Sequence, residues 1–106
     1  MTHTFTAGTE GPHKIRTVTL KDAPWFVAKD VVDILGLWPS EYRRLDAMEK
    51  CLLRRTQLGM KAGRAMTGIS ESGLYTLILR SNKPQAVPFQ DWVTQEVLPS
   101  IRKTGG

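Results

Sequence analysis

Tyr42, Arg43, Arg44, Arg54, Arg55, Lys61, Arg64, Arg80, Lys83, Arg102 and Lys103 are, by chemistry and by place in the chain, the candidates to contact a phosphate-bearing partner. Arginine offers a planar fork of donors that matches a phosphate oxygen pair, and lysine offers a mobile point charge. Arg54, Arg55, Lys61 and Arg64 fall in one stretch, C-L-L-R-R-T-Q-L-G-M-K-A-G-R-A-M-T-G-I, which carries no acidic residue. Such a segment can lie along a phosphate backbone. It can equally be a solvated sheet edge, because basic side chains also keep edges from pairing. Arg80 and Lys83 close a predicted helix, where they either complement its dipole or meet phosphate. Arg102 and Lys103 follow Pro99 as a solvated tail or a phosphate clamp.

Other chemistries find little support. His3 and His13, the only histidines, both lie near the N-terminus. One cysteine and two histidines make no convincing zinc set, so neither metal nor cofactor is expected. Gly59, Gly63 and Gly68 lack the Lys-Ser/Thr ending of a phosphate-cradling loop. Asp30 and Asp33 share a short predicted helix, but nothing marks them as a catalytic acid and base. No enzyme is expected. Cys51, beside Leu52 and Leu53, reads as a small buried hydrophobe rather than a reactive thiol.

The chain has 106 residues, 41% of them hydrophobic, which suits one globular domain with one modest core. Fifteen Lys+Arg stand against ten Asp+Glu, a net charge of +5. That balance favours a polyanionic partner, although many domains carry such a charge for solubility alone. No apolar run approaches the roughly 18–20 residues that span a bilayer, so no membrane role is expected. A lone cysteine allows no internal disulfide, and a cytosolic setting fits.

The elements that must hold the basic residues can be read in order. Residues 1–12, rich in Thr and broken by Gly11-Pro12, read as a flexible or loosely docked arm. Lys14–Leu20 alternates enough for a strand, Lys21–Pro24 is a turn, and Trp25–Val27 is a second strand with Trp25 in the core. Val31, Ile34 and Leu35 share one face of a helix that Gly36 closes. Ser40 is expected to cap a second helix from Glu41 to about Met48, with Leu45 and Met48 turned inward. Helix, glycine turn and capped helix is the layout of a helix-turn-helix, and Tyr42, Arg43 and Arg44 stand where such a helix meets a major groove. The same layout also occurs in domains that never touch DNA. Cys51–Leu58, Gly59–Gly63 and Arg64–Ile69 read as strand, loop and strand. Ser70 caps a helix with Leu74, Leu77 and Ile78 on its inner face. Gly73 costs that helix about 1 kcal/mol relative to Ala, which a closely packed neighbour would explain. A last helix carries Phe89, Trp92, Val93 and Val97 and is expected to end before Pro99. Thr104–Gly106 reads as the start of a linker. The expected fold is a single α+β domain over residues 13–103, with short antiparallel strands and about four helices.

The phrases G-L-Y-T-L-I-L-R-S and W-V-x-x-E-V-L-P-S-I-R-K-T-G closely resemble the end of the Bro-N domain. F-V-A-K-D-V-V-D-I-L-G-L is similar to its front, and Asp46–Lys50 to an acidic turn between them. Cys51–Ile69 departs from the pattern. Bro-N is the N-terminal domain of a family found in phage antirepressor-like proteins and in large DNA viruses of insects. The resemblance implies DNA binding in a transcriptional regulator of phage or prophage origin, a C-terminal domain beyond this segment and a possible homodimer. The alternative it leaves open is a module that binds a repressor or another protein without contacting DNA. A continuous positive surface would favour DNA, and scattered cations beside an exposed apolar patch would favour the protein partner.

Overall fold

Three of the five strands of the sheet come from the N-terminal third of the chain. A computed structural model describes residues 2–6 and 12–105, with side chains as far as residue 101. Strands β1 (Thr2–Thr6), β2 (Pro12–Leu20), β3 (Ala23–Val27), β4 (Lys50–Leu53) and β5 (Met66–Ile69) form one antiparallel sheet in the order β1-β2-β3-β5-β4. The β2–β3 turn is tight. Lys21 and Asp22 both take positive φ, 51° and 63°, which matches the twist of the flanking strands. Ala23 and Pro24 therefore belong to β3, opposite Leu20 and Thr19, and the turn is two residues shorter than expected.

Thr2–Thr6, expected in a loose arm, is instead the edge strand of the sheet, with Phe5 opposite His13 and His3 opposite Ile15. Its threonines face solvent while Phe5 is buried, an ordinary two-residue period. Phe5 sits edge-on to Phe89 with ring centroids 5.4 Å apart, and 5.1 Å from Trp92. Those aromatic contacts hold a strand that has only one neighbour.

Helix α1 (Ala28–Leu35) follows β3 directly and buries Ala28, Val31, Val32, Ile34 and Leu35. Gly36 ends it at φ 67°, in the left-handed region that glycine occupies without cost. Helix α2 (Pro39–Arg43) is shorter than expected and starts earlier. Pro39, with φ preset for a first helical position, replaces Ser40 as the point of entry, and no side chain caps it. The helix stops because Leu45 turns inward and Asp46 begins a separate 3-10 turn, Ala47–Glu49, in a capping box with Glu49. Met48, expected inside, is 90% exposed.

The segment read as a long hairpin keeps strand pairing only near the sheet. β4 ends at Leu53, a 3-10 turn (Arg55–Leu58) follows, and β5 begins at Met66. Gly59 closes the turn at φ 75°. Phe26 and Ile69 are fully buried on the helix-covered face, while Val27 and Leu53 are fully buried on the other. Trp25, expected in the core, and Cys51 are only half-buried. Burial still pushes the Cys51 thiol above its ordinary pKa.

Helix α3 (Glu71–Arg80) starts as expected, with the Ser70 hydroxyl accepting from the Gly73 N–H at 3.1 Å. Leu74, Leu77 and Ile78 lie in the same core as α1. Helix α4 (Ala86–Trp92) runs through a π-helical stretch, Val93–Val97, into α5 (Leu98–Gly105). Pro99 was expected to stop the helix. A proline in an α-helix removes one N–H and crowds the carbonyl four residues back. The wider π turn just before it gives that carbonyl room, and the helix continues. Phe89, Val93, Val97 and Leu98 join the core, and Trp92 packs on it half-buried.

Candidate nucleic-acid interface

Four cations gather where β3 hands over to α1. Lys29 stands in the first turn of α1, Arg43 ends α2, and Arg55 and Arg64 flank the segment between β4 and β5. Together with Tyr42 they line a groove of about 530 Å³ floored by Val27 and by Ala65, Met66 and Thr67. No carboxylate is among its described lining residues. The Arg43 guanidinium carbon lies 5.8 Å from the Tyr42 ring centroid, a cation–π distance, and the Arg43 carbonyl accepts from Lys50 Nζ at 2.8 Å. Arg55 Nε donates to the Arg64 carbonyl at 2.9 Å, and the Arg55 stem crosses Gly63, where a Cβ would meet Arg55 Cδ at 3.0 Å. These contacts restrain the Arg43 backbone and the Arg55 side chain, which lowers the ordering cost of meeting an anion there.

The other predicted basic residues do not line this groove. Arg44 and Arg80 share Glu41, at 3.4 and 3.5 Å, and Arg80 also donates to the Glu41 carbonyl. Both are surface pairs, worth ~0–1 kcal/mol each, but they place a carboxylate beside those charges. Lys83 lies across the end of α1, where a Cβ on Gly36 would stand 2.8 Å from Lys83 Cε. Arg54 and Lys61 are exposed. The side chains of Arg102 and Lys103 lie outside the described residues.

Lys29 and Arg16 are the functional candidates that sequence reasoning overlooked. Lys29 carries no local signal, since only the tertiary fold brings it to Arg43, Arg55 and Arg64. Arg16, on β2, grips Asp30 of α1 through Nε and Nη2 at 2.9 and 2.8 Å, and its backbone N–H also reaches Asp30. These bonds hold the Arg16 proton more firmly than usual. Among the described residues no cluster of His, Cys, Asp and Glu could hold a metal ion, and no helix is long and apolar enough to cross a membrane.

The fold defines the class: a small α+β domain with helices packed on an antiparallel sheet. Residues 14–99 match the BRO family, N-terminal domain, and the chain belongs to that family. It is 44% identical over 82 residues to an uncharacterised protein of Haemophilus influenzae, covering 76% of this chain and 41% of that protein. It is 34% identical to Bro-N domain-containing protein 019R of Invertebrate iridescent virus 3, covering 88% of this chain and 29% of that protein. Bro-N domain-containing protein 201R of Invertebrate iridescent virus 6 is 32% identical over 88% of this chain and 27% of its own length. The chain thus spans less than half the length of these relatives. No solved structure matches it.

Proposed function

We propose that this domain binds DNA within a transcriptional regulator similar to the phage and prophage antirepressors, acting in the cytosol without catalysis or cofactor. The observation that carries the reading is the groove in which Lys29, Arg43, Arg55 and Arg64 meet with no lining carboxylate. Phosphate contacts of that kind supply most of the affinity of DNA-binding domains and release counterions as they form. Arg43 and Tyr42, at the end of α2, are the side chains offered to base edges. Arg55, Arg64 and Lys29 take the flanking phosphates. A homodimer would place two such grooves on one duplex and raise the affinity of a small module.

Exposed Trp38 and Leu79, at 80% and 84%, support a second reading, in which the partner is a repressor or another protein. Binding of the folded domain to random duplex and single-stranded DNA at two salt concentrations separates the readings. The DNA reading expects binding at low salt that weakens steeply as salt rises. Absence of binding at low salt, by the domain and by an artificially linked dimer of it, would overturn that reading in favour of the protein partner.

A further inference from the structure

Arg16 lies outside the groove yet bonds to a residue behind each of two of its sides, Asp30 next to Lys29 and Met60 between Arg55 and Arg64. Its Nε and Nη2 take the two Asp30 oxygens at 2.9 and 2.8 Å, and its Nη1 lies 3.3 Å from the Met60 sulfur. Asp30 follows Lys29 in the first turn of α1, so whatever fixes Asp30 fixes the backbone of one wall. Met60 sits between Arg55 and Arg64, so whatever fixes Met60 holds the other. The bonds within that second segment fold it on itself: Met60 N–H to the Arg55 carbonyl, Gln57 N–H to the Arg54 carbonyl, and Arg55 Nε to the Arg64 carbonyl. They shape the segment without fastening it to the sheet. The Arg16–Met60 contact does fasten it, to β2.

We infer that Arg16 is a positioning residue for the groove, setting the separation of the Lys29 wall from the Arg55–Arg64 wall by holding Asp30 and Met60 at once. A guanidinium can do this because its donors point in fixed directions within one plane. Arg16 also occupies the carboxylate that stands next to Lys29, which keeps the local field of the groove positive. The effect on binding rests on the DNA reading, whereas the fastening of the segment does not.

Arg16→Lys tests the inference, because it keeps the net charge while an ammonium cannot span both partners in the same geometry. Hydrogen–deuterium exchange of the 55–64 amides and duplex affinity at low salt are the two readouts, with the β3 amides as the control for global stability. The expected result is faster exchange confined to 55–64 and a duplex affinity lower by about tenfold. Exchange and affinity both at parental values would overturn the inference, as would faster exchange with unchanged affinity. If the β3 amides also exchange faster, Met60→Leu replaces Arg16→Lys, since it keeps the apolar volume and the Arg16–Asp30 pair. Loop exchange at the parental rate in Met60→Leu would overturn the fastening. Should the parent itself fail to bind duplex, the DNA reading falls and the exchange measurement alone decides the role of Arg16.

Discussion

Arg55 Nε and the main-chain carbonyl of Arg64 meet at 2.9 Å, closing the segment that separates the two residues. One cation therefore uses a donor to shape the loop, while the Arg64 side chain is free to face a partner from an exposed position. Arg64→Gln should weaken binding to every duplex alike and flatten the salt dependence by about one unit of log–log slope, whereas Arg43→Gln, which loses a base-edge contact, should cost roughly 1–3 kcal/mol at a preferred site and little elsewhere. Arg55→Lys keeps the charge but loses the closing bond, so it should weaken binding despite an unchanged net charge. Fluorescence anisotropy across a salt series reads both effects. Equal losses from Lys61→Gln, which lies off the groove, would show that bulk charge and not this constellation matters.

Phe5 is 5% exposed between Phe89 and Trp92. Phe5→Ala should destabilise the domain by about 3–5 kcal/mol, a large part of the usual 5–15 for a domain. Urea denaturation followed by tryptophan fluorescence gives the value. A midpoint like the parent's would mean that β1 adds nothing to the fold.

Gly73→Ala should destabilise as well, against the usual rule that alanine gains a helix about 1 kcal/mol over glycine. The new Cβ would lie 3.2 Å from both the Glu49 carbonyl oxygen and Leu45 Cδ1. That carbonyl cannot retreat freely, because it accepts the Ser70 N–H at 3.0 Å. A net loss of about 1–2 kcal/mol is expected from the overpacking. Thermal melts of the two proteins decide, and a stabilised variant would show that the 3-10 turn yields.

His3 faces Trp92 edge-on with centroids 6.4 Å apart, and its buried Nε2 has no hydrogen-bond partner. Burial, with a smaller contribution from the nearby N-terminal charge, lowers its pKa from the ordinary 6.5. The folded state therefore resists the proton that the unfolded chain accepts. Its contribution to stability is intact above pH 6.5 and falls as the pH drops below that value toward the lowered folded pKa. His3→Gln should flatten that part of the stability–pH curve. An unchanged slope would place its origin elsewhere.

Much of the scaffold was legible from local signals. Ser70, Gly36 and the spacing of Leu74, Leu77 and Ile78 marked real helix ends and a real inner face. The alternation of β2 and the apolar run of β3 marked a real hairpin. The failures have physical causes. β1 shows one apolar residue in five, so its period was visible only through threonines that point to solvent. D-A-M-E at 46–49 is a capping box, and reading it as such would have ended α2 before Met48. Pro99 misled because the π turn ahead of it cannot be seen in composition. At the groove, Arg55 and Arg64 were chosen for charge, Tyr42 and Arg43 for their place in the expected second helix, and the four came together. Lys29 was not, because proximity across three elements leaves no trace in spacing.

The docking of Phe5 against Phe89 and Trp92 also bears on how the chain folds. The first strand finds its aromatic partners only when the last third of the chain is in place. Closing so long a loop costs entropy before the contact returns anything. The β2–β3 hairpin and α1, neighbours in sequence, have no such wait and can form first. β1 and α4 would then join late and leave early, as one unit that binds the two ends of the chain together. Stopped-flow fluorescence should show Phe5→Ala speeding unfolding while leaving the folding rate nearly unchanged. For a chain emerging from the ribosome, β1, made before the other elements of this domain, would be among the last of them to find its place.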